Sequence, residues 1–175
     1  MTIGDPQNPN ALKGILVDLS TGETIFEMPV PVKKVLFSPD GTKLAYIEQG
    51  PLPYYPSTIK YMNPHFFVLD IKTMQVRNYG FEVNDHFNWT PDGNHIIYSM
   101  KFIHPSLGAY ENGIFIMRVS DGKEIAKVSA ISSSDSLSIS QSGKYIMWED
   151  WDNDTFFVIK NPLDTEVLKS PQFCN

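Results

Sequence analysis

Apolar residues come in short runs that alternate with polar ones and stop at turn-forming residues. Nowhere do they recur every three or four positions over a helix-length window. Ile15-Leu16-Val17-Asp18-Leu19 is closed by Ser20-Thr21-Gly22-Glu23 and followed by Thr24-Ile25-Phe26-Glu27. The same pair of runs returns as Phe66–Ile71 with Gln75–Tyr79, as Ile114–Val119 with Glu124–Val128, and as Phe156–Ile159 with Glu166–Leu168. Side chains alternate across a strand, so each pair predicts an antiparallel hairpin. Enrichment in Val, Ile, Phe, Tyr and Trp agrees with strands, and the pattern predicts an all-β chain almost without helix.

A second hairpin type lies between these. Ser38-Pro39-Asp40-Gly41 follows Val35-Leu36-Phe37 and leads into Lys43–Ile47, and Thr90-Pro91-Asp92-Gly93 follows His86–Trp89 and leads into His95–Tyr98. Ser140-Gln141-Ser142-Gly143 lies between Leu137–Ile139 and Lys144–Trp148, so the copies are offset by 52 and then 50 residues. Proline presets φ at the second turn position, Asp or Ser bonds back onto the local backbone, and glycine accepts the positive φ that ends the turn. A four-stranded repeat of this period fits one blade of a β-propeller. A two-sheet sandwich would not need the same turn at a fixed period.

The first two copies are preceded by a hydrophobic strand ending in an aromatic and followed by a Leu-Ala-Tyr or Ile-Ile-Tyr strand. In this they resemble the TolB-type, WD-like propeller repeat, over about residues 15 to 168. The third copy departs from that pattern, with Gln141 and Ser142 in place of Pro and Asp. The resemblance implies four-stranded blades and a binding face. It implies no single reaction: such repeats build the periplasmic TolB partner-binding domain, and similar propellers cap the catalytic domain of prolyl-oligopeptidase-like enzymes.

With strands lettered a to d from the propeller axis outward, the Ser-Pro-Asp-Gly hairpin is a–b and the other is c–d. The order reads c–d and then a–b–c–d three times, which makes fourteen strands, or about three and a half blades. The divisions are a polar N-terminal segment at 1–14, an outer half-blade hairpin at 15–30, blades at 31–80, 81–129 and 130–170, and a tail at 171–175. Thr2 to Asn10 is polar and proline-rich, which leaves the first hairpin without an inner partner upstream. Three and a half blades do not close a ring of roughly four to eight. Two copies about a two-fold axis would leave two separate half-blades, each without an a–b hairpin. The chain is expected to be a partial propeller, either a piece of a longer one or one completed by another chain.

In this strand order the a–b and c–d turns share one end of the blades, and the b–c and d–a connections share the other. The turns are short, whereas the b–c connections Gln49–Pro64 and Phe102–Asn112 are long, and Glu149–Asp154 is acidic. Loops longer than a blade needs are usually functional or disordered. They carry Tyr54, Tyr55, Tyr61, Phe102, His104, Tyr110 and Trp151, the candidate partner-binding residues. Tyrosine on a proline-stiffened loop offers area and a hydroxyl at low ordering cost. The alternative is that the rings fold back over the blade tops.

Composition narrows the function. The 175 residues are 42% hydrophobic, enough for a core, and carry a formal charge of -6 with no basic run longer than Lys33-Lys34. That balance argues against nucleic acid, whose binders neutralise phosphates with Lys and Arg. Cys174 is the one cysteine, so neither an internal disulfide nor a thiolate metal site forms. No apolar run approaches the roughly 20 residues of a membrane span, and Met1–Pro6 lacks a leader pattern. As written the chain is expected in the cytoplasm, or in the periplasm or outside the cell if a leader was removed.

Asp150, Asp152 and Asp154 alternate as at the start of a calcium loop, but Thr155 replaces its glycine and Asn161 its closing Glu. A solvated acidic loop is expected there, and no metal or cofactor. His65, His86, His95 and His104 lack zinc-ligand spacing, and there is no Gly-x-Ser-x-Gly elbow or Gly-rich phosphate cradle. Ser132–Ser134 with Asp135 reads as turn chemistry. Asn88-Trp89-Thr90 and Asn153-Asp154-Thr155 match the glycosylation pattern, which matters only in a secretory compartment. The expectation is a non-catalytic scaffold for a protein or peptide partner. The alternative is the propeller portion of a prolyl-oligopeptidase-like hydrolase.

Overall fold

The computed structural model describes residues 2–5, 8–48, 65–82, 86–103, 110–131, 136–150 and 154–164. Among these residues there are thirteen strands and no helix. They are β1 (Thr2–Asp5), β2 (Asn8–Val17), β3 (Thr24–Phe37), β4 (Lys43–Glu48), β5 (His65–Asp70), β6 (Gln75–Glu82), β7 (Phe87–Trp89), β8 (His95–Ile103), β9 (Tyr110–Arg118), β10 (Glu124–Ile131), β11 (Leu137–Ile139), β12 (Tyr145–Asp150) and β13 (Thr155–Lys160). Sequential strands pair antiparallel in sheets β1 to β6, β7 to β10 and β11 to β13. The all-β, blade-by-blade architecture expected from the alternating pattern is present. The expected strand at Glu166–Leu168 lies outside the described residues.

Two compact units are formed, Met1–Phe37 with Gly41–Glu82, and Ser38–Asp40 with Val83–Asn175. In the first, β3 is one 14-residue strand that changes partner midway. Its first part pairs with β2, from Val17↔Thr24 to Lys13↔Pro31, and its second with β4, from Val32↔Glu48 to Phe37↔Leu44. The outer strand of the N-terminal hairpin thus runs straight into the inner strand of the first blade, β3 to β6. One expectation is corrected here. The first hairpin, expected to lack a partner strand upstream, has one: β1 pairs with β2 through Thr2↔Gly14 and Ile3↔Lys13, and β2 begins at Asn8. Backbone pairing needs no apolar side chain, so a polar segment can serve as a strand where a free edge is beside it.

The core of this unit gathers Met28, Val32, Leu44, Tyr46, Phe67 and Leu69, with Leu16 and Phe26 against it. Tyr46 and Phe67 lie opposite each other on β4 and β5 and stack with centroids 5.1 Å apart. A methyl at Gly14 would press into the Met28 thioether and meet Val32 Cγ2 at 2.7 Å, so the close approach favours glycine. In the second unit, Ile97, Ile114 and Ile116 of the second blade, β7 to β10, pack on Leu137, Ile146 and Trp148 of the third, β11 to β13. Asn88 Nδ2 donates across the same junction to the Leu137 carbonyl. That half-buried amide is engaged between blades, which answers the glycosylation pattern at Asn88.

Burial, helped by Glu48, pushes the Tyr46 phenol up to about 12. Burial, helped by Glu124, raises Tyr98 as well. A folded-state pKa above the unfolded one gives stability that is complete below the unfolded value, near 10, and lost as pH rises toward the folded value. Urea midpoints are therefore expected to fall between pH 10 and 12. Tyr46→Phe should flatten that fall; an unchanged slope in the variant would show that other groups drive it.

Candidate functional site

The turn end of the blades is built from side chains that bond within their own turn. Ser38 Oγ donates to Asp40 Oδ1 at 2.6 Å, Thr90 Oγ1 donates to Asp92 Oδ1 at 2.5 Å, and Ser140 and Ser142 hydroxyls lie 3.2 Å apart. Each turn ends on a glycine in the left-handed region, with φ of 70° at Gly41, 65° at Gly93 and 74° at Gly143. The copy with Gln141 and Ser142 keeps this geometry, with Gly143 N donating to Ser140 O at 2.8 Å as Gly93 N donates to Thr90 O at 2.9 Å. It does so with a weaker bond, since Lys144 N reaches Ser142 Oγ at 3.4 Å where Asn94 N reaches Asp92 Oδ1 at 2.9 Å.

The c–d turns repeat a different device. Asp18 Oδ1 accepts from Ser20, Asp70 Oδ1 from Thr73, Asp121 Oδ1 from Lys123 N, and Asn161 Oδ1 from Leu163 N. In each blade the first turn residue then ties the two hairpins together. Ile71 N donates to Thr42 O at 3.0 Å, Val119 N to Asn94 O at 2.9 Å and Asn161 N to Lys144 O at 2.8 Å. The a–b and c–d turns therefore share one end, as the strand order predicts. The residue that sequence reading missed is Asn161. It is 4% exposed, and its Nδ2 adds a bond to Gly143 O at 2.8 Å. The repeat pattern held no clue to it, because the equivalent turn position is apolar in the earlier blades, Ile71 and Val119.

These bonds set the electrostatics. The Ser20 hydroxyl and N–H hold Asp18 below the usual carboxylate range, and the Thr73 N–H and hydroxyl hold Asp70 there. Arg118 and the Lys123 N–H bring Asp121 to about 2. At Asp92 burial pushes upward, but the Thr90 hydroxyl, Asn94 N–H and His95 outweigh it and the carboxyl stays lowered. A groove of about 540 Å³ runs between Thr90–Asp92, Ser142–Lys144 and Asn161–Asp164. Its Thr90, Asp92, Ser142 and Asn161 side chains are already engaged in the turn bonds above, so it offers shape more than chemistry. Among the described residues no cluster of three or more His, Cys, Asp or Glu could hold a metal ion.

Tyr54, Tyr55, Tyr61, His104 and Trp151 lie outside the described residues, as do Ser132–Asp135 and Asn153. Phe102 and Tyr110 lie in strands. This corrects the second long connection, expected over Phe102–Asn112. β8 runs to Ile103 and β9 starts at Tyr110, with Lys101↔Asn112, Phe102↔Glu111 and Ile103↔Tyr110 paired. Cross-strand pairing extends the hairpin through residues whose composition alone reads as loop. The position equivalent to Met100 in the third blade is Asp150, where β12 ends and pairs with Thr155. The ribbon of the second blade thus goes three residues further than that of the third, about 10 Å at the rise of a strand. Of the histidines, His65 Nδ1 lies 3.5 Å from Glu48 Oε2 and His95 Nδ1 lies 3.3 Å from Asp92 Oδ2, both local pairs.

No family model and no curated protein matches the sequence. Solved structures do. KlAtg21 in complex with the coiled coil of AgAtg16 is similar at 17% identity and a TM-score of 0.65, over 87% of this chain and 46% of that one. The acylaminoacyl peptidase of Pyrococcus horikoshii is similar at 12% and 0.57, over 84% and 26%. The β-propeller domain of Cps50 (Swd1) from Myceliophteria thermophila is similar at 9% and 0.55, over 84% and 46%. The chain spans less than half the length of each of these. Together with the blades, the likenesses show a β-propeller-like fold, shared by proteins of different kinds.

Proposed function

We propose that the chain is a non-catalytic propeller scaffold of the TolB-like kind that binds a protein or peptide partner at the loop end of its blades. The observation that carries this is the β8–β9 ribbon, which extends past the equivalent end of β12 in the third blade and carries Phe102 and Tyr110 in its paired strands. A pre-formed strand pair presents contact residues at small entropic cost, which favours binding over chemistry. The engaged polar side chains of the turn end support the same choice of end. Tyr54, Tyr55, Tyr61 and Trp151 belong to the same set of connections and complete the proposed surface.

The second reading, a propeller portion serving a hydrolase, draws on the likeness to the peptidase, which speaks for fold. One experiment separates them. Host proteins captured on the immobilised full chain are compared with those captured on a Tyr54→Ala, Tyr55→Ala, Tyr110→Ala variant. The expected result is a partner lost from the variant, with its melting temperature nearly unchanged. Equal capture by both chains overturns the loop surface, and a variant that melts far lower shows that the rings are packing residues. A captured protein with serine-hydrolase activity decides for the second reading.

A further inference from the structure

The a–b turns touch one another as well as bonding within themselves. Gly143 has its open side against the turn before it. From the point where a Cβ would stand, Pro91 Cδ is 3.4 Å away and Pro91 Cγ 3.5 Å, ordinary van der Waals distances. Gly93 stands in the same relation to Pro39, whose Cδ is 3.8 Å from the corresponding point. Both contacts lie inside the second unit, which takes in Ser38–Asp40 although β3 and β4 on either side of that turn belong to the first. Gly41 is the contrast: among the described residues nothing comes within 4 Å of its Cβ position, and it is exposed where Gly93 is buried and Gly143 half-buried.

Inside its own turn, proline presets φ and glycine accepts the left-handed backbone. The third turn shows that the first of these duties does not require proline. With Gln141 at that position, Gly143 N still donates to Ser140 O at 2.8 Å, as Gly93 N does to Thr90 O at 2.9 Å. The ring therefore brings something the local turn does not need. It can lie against a residue without a Cβ and gain contact at little ordering cost, because proline has almost no rotamer freedom to lose. The contact joins the second position of one turn to the fourth of the next. It recurs only where the turn falls at the same place in successive blades, as the offsets of 52 and 50 residues provide. Gly143 is also held from within its own blade, since its carbonyl accepts from Asn161 Nδ2 at 2.8 Å.

We propose that Pro91 is an interblade latch: its ring seats the a–b turn of the third blade by packing on Gly143, and Pro39 does the same for Gly93. Pro91 and Gly143 both line the groove at the turn end, so the latch forms part of its wall. It adds to the buried junction of Ile97, Ile114 and Ile116 with Leu137, Ile146 and Trp148, and works at the rim, where amides open most readily. Partner binding at the loop end is a separate matter, and neither reading depends on the other.

Amide hydrogen exchange on the full chain carrying Pro91→Gln tests the latch. Glutamine is the residue that the third turn already accommodates, so the second turn should keep its own geometry while losing the ring. The Gly143 amide, bonded to Ser140 O, and the Tyr145 amide, 3.0 Å from Ser140 Oγ, report on the following blade. Both are expected to exchange about tenfold faster than in the wild type, while the Gly93 amide of the substituted turn changes by less than about threefold. Pro39→Gln is the second arm and should speed exchange at Gly93 while leaving Gly143 as it is. It also decides the matter if circular dichroism shows Pro91→Gln to be unfolded. Acceleration confined to the substituted turn would mean that the proline serves only its own backbone, and overturns the proposal. So does unchanged exchange in both turns, and so does a uniform acceleration over all blades, which marks a global loss of stability.

Discussion

Trp148→Ala is expected to lower the unfolding free energy by about 3–5 kcal/mol, the range for removing a buried aromatic. Trp148 is 3% exposed, stacks on Phe157 at 5.3 Å between centroids, and belongs to the cluster that joins the second and third blades. Its indole Nε1 is buried without a hydrogen-bond partner, so deletion also removes an unfavourable group and the effect should fall toward the lower end. Trp148→Phe is the control: it keeps most of the volume and drops the buried N–H, and should cost less than about 1.5 kcal/mol. In a repeat fold, stability is close to a sum of unit and junction contributions, so the alanine variant should broaden or split the urea transition as the third blade releases first. A single sharp transition with a loss below about 1 kcal/mol would show that the junction does not depend on this ring.

Asn161→Asp should be the second most costly change, about 3 kcal/mol at neutral pH, because a donor becomes a charged acceptor in a buried site. In the wild type Nδ2 donates to Gly143 O while Oδ1 accepts from Leu163 N. A carboxylate keeps the second bond and turns the first into oxygen facing oxygen. Burial and that carbonyl raise the folded-state pKa of the new Asp above its unfolded value. Relative stability is then highest below the unfolded pKa and lost as pH rises. Relative to wild type, the variant should therefore be closer to normal at pH 3 than at pH 7. Asn161→Ala should cost about 1–3 kcal/mol with no such pH dependence. Equal deficits at both pH values in the Asp variant would count against the geometry at Gly143.

Much of the fold was legible from particular residues. Proline and aspartate before a glycine at a fixed period have one cheap backbone solution, and Gly41, Gly93 and Gly143 adopt it. The third turn shows why the motif survives its own decay: Ser142 supplies an oxygen where Asp92 does, so geometry persists while bond quality drops. The N-terminal strand was not legible, because Thr2–Asp5 pairs through its backbone. The extension of β8 and β9 to Ile103 and Tyr110 was hidden for a related reason, as strand ends depend on what lies opposite them. The candidate loop residues could be chosen by type and length alone, and only Phe102 and Tyr110 among them fall where the backbone is described.

Local chemistry is what the sequence determined alone: all-β class, turn types, the fifty-residue period and the polarity of each hairpin. Turn residues act within a few bonds of themselves, and strand alternation is a property of the backbone, so neither needs distant partners. Tertiary structure alone decided which apolar face is filled and which is open. Ile97 and Met147 are similar side chains at equivalent repeat positions, yet one is fully buried and the other 40% exposed. Burial belongs to the pair of surfaces and not to the residue, so similar patterns end differently according to what packs on them among the described residues. The same holds for Asn161, an ordinary turn residue by its sequence, which becomes a buried link between two hairpins because the fold brings Gly143 to its amide.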